Sequence, residues 1–222
     1  MLNNSEVAMF MKTHPAKAML TLEIPAQTMS GHDISVKMPE NHRFTDQEFF
    51  DFCQMNQHLK FERDAQGNIL IMANTTPRTG IRNSELNLEV GLWNRQHKSG
   101  IVFDSSSAFT LPTSAVRWAD LAWMTTERWN AISDAGKDSF THICPDFVIE
   151  LMSKSDRLAG CREKMDEWMA NGCRLAWLID PDGEKAYIYR QGRETEIVSF
   201  AGSKLSGEDV LQGFELDLKI LE

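Results

Sequence analysis

Residues 145–151 read Pro-Asp-Phe-Val-Ile-Glu-Leu, and no other stretch restricts the fold as much. Pro145 ends any preceding helix, and the residues after it are apolar enough for a strand buried on at least one face. With a side-chain period of two, Asp146, Val148 and Glu150 point one way while Phe147, Ile149 and Leu151 point the other. A carboxylate inside an apolar strand costs free energy unless a metal, a cation or hydrogen bonds compensate it. The chain must therefore build partners for two acids within its sheet.

The flanking sequence predicts a mixed α/β fold. Residues 78–97 have helical spacing, with Ile81, Leu88 and Leu92 on one face and Leu86, Val90 and Trp93 on much of the opposite one. That pattern predicts a helix covered on two sides. Glu85 falls within the first face, where it needs a partner: an ion pair with Arg78 or Arg82, or a role at a site. Residues 157–170 predict a second helix, with Leu158, Cys161, Met165, Trp168 and Met169 on one face and Arg157 and Lys164 along its flank. Asn171-Gly172 stops it.

Strands are expected at 100–104, 108–111, 115–124, 146–152, 174–179, 185–189 and 194–200, and another near 34–38. The turn sequence Asp-Ala-Gln-Gly-Asn at 64–68 predicts a hairpin joining 59–63 to 69–72, and Asp-Pro-Asp-Gly at 180–183 predicts a second. Thr45 and Glu48 fit a capping box, and Thr125 or Thr126 caps a short helix. The tail is apolar enough to dock on the domain. At 222 residues one sizeable core is expected, read as an N-terminal extension over 1–40 and a single domain over 41–222.

Charge and composition exclude some functions. The net charge of −9 argues against a surface made for nonspecific nucleic-acid binding but leaves room for a locally basic cleft. No apolar run reaches the roughly 18 residues of a membrane helix, and the first twenty residues lack the pattern of a secretion signal. Cys53, Cys144, Cys161 and Cys173 are irregularly spaced, as expected of core thiols in a reducing cytoplasm.

Three acids stand out: Glu85 on a helix, Asp120 within the apolar run 115–124, and Glu150, followed by Lys164 on the next helix. Two carboxylates from neighbouring strands make an oxygen-ligand site suited to Mg²⁺ or Mn²⁺, and a nearby lysine adds positive charge at a transition state. Acids on strands also serve in turns and ion pairs, and the residues alone leave both readings open.

Asp120, then Pro145-Asp146-Phe147-Val148-Ile149-Glu150-Leu151, Ser153, Ser155-Asp156, Lys164, Gly172 and Trp177-Leu178-Ile179-Asp180-Pro181 together resemble the bacterial Uma-two family of restriction-endonuclease-like proteins. The similarity runs from about Phe44 to Phe214. That family belongs to the PD-(D/E)XK nuclease superfamily, so the resemblance implies a restriction-endonuclease-like core: a central mixed sheet flanked by helices, with the hairpins as accessories. It also implies a metal-dependent endonuclease acting on DNA, with Asp120 and Glu150 holding Mg²⁺ or Mn²⁺. The superfamily's usual lysine position, two residues after the second acid, is Met152 here. The family's lysine lies on the following helix and matches Lys164, with Lys154 as the rival.

Glu85 resembles an early-helix acid that binds a second metal or orients a water. Asp146 is expected to brace the site. Arg78, Arg82 and Arg157 are the first candidates for a DNA surface, a homodimer would suit cutting of both strands, and a cytoplasmic location is expected. An alternative from another class is a binding or assembly module that keeps the nuclease fold without turnover.

Overall fold

The computed structural model describes Phe10–His14, Lys17–Thr21, Ile34–Val36 and residues 43–222. The chain divides into two compact units, Met1–Asn74 with Ser114–Val116, and Thr75–Thr113 with Arg117–Glu222. The expected extension lies mostly outside the described residues, as do the last two residues of the strand expected at 34–38.

In the first unit, β1 (Phe10–His14) and β2 (Lys17–Thr21) form an antiparallel pair that the sequence pattern did not predict. The strand β3 (Ile34–Val36) pairs with the second strand of the expected hairpin, β4 (Phe61–Arg63) and β5 (Ile69–Ile71). Gly67 has φ +86° in the turn, a left-handed conformation that glycine adopts without strain. Helix α1 (Asp46–Met55) opens on the expected capping box, with Thr45 accepting from the Glu48 N–H and Glu48 accepting from the Thr45 N–H. Arg63, buried, forms an ion pair with Asp46 and donates to the carbonyls of Phe44 and Ser114.

The second unit is built on a six-stranded mixed sheet. Its first elements are helix α2 (Pro77–His97) and the strands β6 (Gly100–Asp104), β7 (Ala108–Thr110), β8 (Val116–Trp118, whose first residue belongs to the first unit) and β9 (Leu121–Thr125). Short helices α3 (Thr126–Asn130) and α4 (Asp134–Lys137) lead to β10 (Thr141–His142), β11 (Phe147–Leu151), helix α5 (Leu158–Ala170), β12 (Leu175–Asp180), β13 (Lys185–Arg190) and β14 (Glu196–Ser199). Strand order is β14-β13-β12-β11-β9-β6. Only β11 and β12 run parallel, as the helical crossover through α5 requires; the other neighbours are antiparallel. The tail adds β15 (Lys204–Ser206), β16 (Glu215–Asp217) and a closing 3-10 turn (Leu218–Leu221).

The period of two in β11 divides the packing as its sequence predicts. Phe147, Ile149 and Leu151 join one core cluster with Leu86, Val90 and Trp93 of α2 and with Leu211, Phe214 and Leu221 of the tail. Glu150, on the alternate parity, meets α5, whose Met165 and Trp168 are fully buried. Among the described residues no helix is long and apolar enough to cross a membrane.

Two expectations need correction. α2 is covered on one side only, because Ile81, Leu88 and Leu92 are 65%, 52% and 45% exposed. The run 115–124 is two strands, broken at Ala119 and Asp120. The physical reason is a side chain that ends the ladder: the Leu151 N–H, which a longer ladder would give to backbone, donates to Asp120 Oδ2 at 2.8 Å.

Candidate functional site

The register of β9 against β11 pairs Phe147 with Trp123, Val148 with Ala122 and Ile149 with Leu121. One step further along the same register, Asp120 stands opposite Glu150. An antiparallel ladder thus carries an acid on each strand to one end of the sheet, although the two lie thirty positions apart in sequence.

Each carboxylate is oriented by two N–H donors. Asp120 Oδ2 accepts from the Leu151 backbone, and its Oδ1 accepts from Asn83 Nδ2 of α2 at 3.0 Å. Glu150 Oε1 accepts from the indole N–H of Trp168 at 2.8 Å, and Oε2 from the Lys164 ammonium at 3.1 Å. Lys164 also donates to the Trp118 carbonyl at 2.8 Å, at the end of β8. Its four-carbon stem reaches from α5 across to two strands. Glu167 forms an ion pair with Arg117, so Lys164, Glu167 and Trp168, at spacings of three and four, fasten one helix side to the sheet.

The structure brings Asp120, Glu150 and Lys164 together and assigns Glu150 to Lys164 rather than to its rival, since Lys154 is exposed on the turn after β11. Glu85 is not among the groups gathered here. It lies two residues beyond Asn83, about 200° around the helix, on the side with Ile81 and Leu88. α2 therefore presents an amide, not an acid, to Asp120. Asp146 is nearly buried and fully engaged, accepting from the Thr125 N–H at 3.0 Å and from Arg128 Nη1 at 2.7 Å. It braces the start of β11 against the end of β9 and helix α3. Of the three arginines, Arg78 and Arg157 are exposed, while Arg82 donates to the Leu221 carbonyl at 2.7 Å and lies 3.8 Å from Asp182.

Sequence reasoning missed Asn83 and Trp168 as site residues. Asn83 is the polar member of a buried series at spacings of three and four with Leu86, Val90 and Trp93, and a polar residue in a core stripe was the available signal. Trp168 read as core, which it is, and its indole N–H carries the second role.

The donor set suits a hard divalent cation. All the candidate groups are oxygens, and a carboxylate oxygen that accepts one hydrogen bond keeps a lone pair. Asn83 Oδ1 is buried with no hydrogen-bond partner, an orphaned oxygen beside Asp120. Among the described residues no group of three or more His, Cys, Asp or Glu side chains is placed to hold a metal, so the chain offers two carboxylates and an amide oxygen. Mg²⁺ is commonly held by one or two carboxylates with waters completing its shell.

A family model described as "Uma2: Putative restriction endonuclease" matches residues 46–219. Among solved structures, one titled "Crystal structure of a putative nuclease belonging to DUF820 from Anabaena variabilis ATCC 29413" matches with a TM-score of 0.65 at 18% identity. The match covers 80% of this chain and 97% of that one, and it establishes a shared fold. No curated protein matches.

Proposed function

This chain belongs to the Uma2 family, and from that membership and the nuclease-like fold we propose that it hydrolyses phosphodiester bonds in DNA with the help of Mg²⁺ or Mn²⁺. The observation that carries the reading is the opposition of Asp120 and Glu150 across the β9–β11 register, with the Lys164 ammonium on Glu150. Asp120, Glu150 and the Asn83 amide oxygen would hold the ion. Bound there, it supplies Lewis-acid polarisation of the phosphate and a water of lowered pKa.

The remaining work falls to the chain's own groups. The Leu151 N–H and Asn83 Nδ2 fix the Asp120 carboxylate, and Trp168 and Lys164 fix that of Glu150, so neither acid needs to reorganise when substrate arrives. Lys164 is placed to orient the attacking water and to offset charge developing on the phosphoryl oxygens. Asp120, Glu150 and Lys164 sum to one negative charge, which a divalent cation reverses in favour of a polyanionic substrate.

Calorimetry with Mg²⁺ and Mn²⁺, followed by plasmid nicking with wild type and Glu150→Gln, tests this. Ion binding and nicking by wild type, with both lost in the variant, is the expected result. Nicking that persists in the variant, in a protein that binds no ion, would end the reading.

A further inference from the structure

The side of α2 opposite Asn83 carries large apolar side chains into solvent. Ile81, Leu88 and Leu92 are three of the six exposed large hydrophobic residues among those described. At about 100° per residue, Ile81, Glu85, Leu88, Leu92 and Arg95 fall within about 40° of one line along the helix. Their spacings alternate between four and three residues, the seam of a two-helix coil. Beside the stripe, a Cβ placed on Gly91 would meet nothing within 4 Å, so the flank is open as well.

We propose that this stripe pairs two copies of the chain, with α2 antiparallel to α2 about a two-fold axis level with Val90. In that register Leu88 opposes the partner's Leu92 and Glu85 opposes the partner's Arg95, and the symmetry makes each contact twice. Charge selects this arrangement over its rivals. Parallel pairing would set Glu85 against Glu85 and Arg95 against Arg95. An antiparallel pairing shifted by one repeat would bury Glu85 against Leu88 and oppose Arg78 to Arg95. Rim ion pairs of this kind add little affinity but fix register, while the four leucines supply the apolar contact.

The overlap of the two stripes, from Glu85 to Arg95, is about 15 Å long at 1.5 Å per residue, and Ile81 lies beyond it. A contact of one helix face lies at the small end of specific interfaces, so association depends on concentration in the accessible range. The contact uses none of the groups around Asp120 and Glu150. It would serve a nuclease that must address both strands of a duplex, but it stands independently of that activity.

Sedimentation of the full chain from micromolar to hundreds of micromolar tests the pairing. Wild type is expected to move from 25.3 kDa towards twice that mass. Leu88→Asp combined with Leu92→Asp should remain monomeric with an unchanged melting temperature, because both sites are exposed. Glu85→Arg and Arg95→Glu should each weaken the dimer by about tenfold, a factor equivalent to about 1.4 kcal/mol, and the double swap should restore it. A wild type that stays monomeric overturns the proposal, as does a dimer that survives the leucine substitutions or single swaps that the double swap does not rescue. If residues 1–42 of the same chain cover the stripe instead, wild type is monomeric and the leucine substitutions lower the melting temperature, which also overturns it.

Discussion

Lys164→Met removes the cation that faces Glu150 while keeping most of the stem's apolar packing. The ammonium lies 3.1 Å from Glu150 Oε2 and 2.8 Å from the Trp118 carbonyl, and the two charged side chains are 19% and 12% exposed. Breaking a buried ion pair by removing one partner costs about 3–5 kcal/mol. Both groups here keep some contact with water, which lowers the figure to about 2–3 kcal/mol. For a chain of this length each kcal/mol moves the melting temperature by about 2–4 °C, so the variant should melt roughly 4–12 °C lower in EDTA. All six tryptophans, from Trp93 to Trp177, belong to the second unit, and intrinsic fluorescence therefore follows the unit that carries the site. Mg²⁺ at about a hundred times its Kd should return about 2.7 kcal/mol. That gain should be at least as large in the variant as in wild type, since the ion then replaces the missing positive charge. A variant that melts like wild type in EDTA would show that the ammonium does not compensate the acid. A melting temperature indifferent to Mg²⁺ in both proteins would show that the acids hold no ion.

Asn83→Ala deletes the amide donor to Asp120 and the orphaned oxygen beside it, and should weaken Mg²⁺ binding by about 10–100-fold in calorimetry; unchanged affinity would remove Asn83 from the site. Asp146→Asn weakens charged hydrogen bonds to Arg128 and Thr125 and should cost about 1.5–3 kcal/mol of stability, with Mg²⁺ affinity preserved. Loss of Mg²⁺ binding in that variant would make Asp146 a ligand rather than a brace. Burial pushes the Cys53 and Cys144 thiols up from 9.0 to about 12. Both therefore stay protonated in the folded chain while they ionise in the unfolded one. Stability from this source is complete below about pH 9 and declines as pH rises towards 12, and a melting temperature flat across that interval would contradict the burial.

The sequence pattern located most elements because local chemistry and tertiary packing agree there. The Thr45–Glu48 capping box, the turn through Gly67 and the stop at Gly172 are local devices that need no distant partner. The alternation in β11 anticipated that Phe147, Ile149 and Leu151 point away from Glu150; the fold adds that the first set joins the core cluster and Glu150 meets α5. What the pattern missed depends on distant partners. The run 115–124 left Asp120 open between a strand acid and a turn, and what decides is the Leu151 N–H thirty-one residues away. The helical period of α2 identified two apolar faces and led to the expectation of cover on both, but the core that covers only one comes from strands and a tail later in the chain. The same limit favoured Glu85 over Asn83: an acid is conspicuous in sequence, while an amide gains meaning only beside Asp120.

The two acids of β11 show how neighbours divide similar residues between support and chemistry. They sit on the same parity of one strand, Asp146 just before its start and Glu150 near its end. Asp146 meets Arg128, a permanent cation, and a backbone N–H, so its charge is balanced within the fold. Glu150 meets a lysine and a neutral indole, and the register sets a second acid opposite it. At one end a single acid meets a guanidinium, and at the other two acids share the neighbourhood of one ammonium. Exchanging Asp120 for Asn would retain the Leu151 hydrogen bond and lessen the repulsion between the two acids. Two acids set opposite each other and oriented by four N–H donors are the arrangement on which the proposed cation site rests.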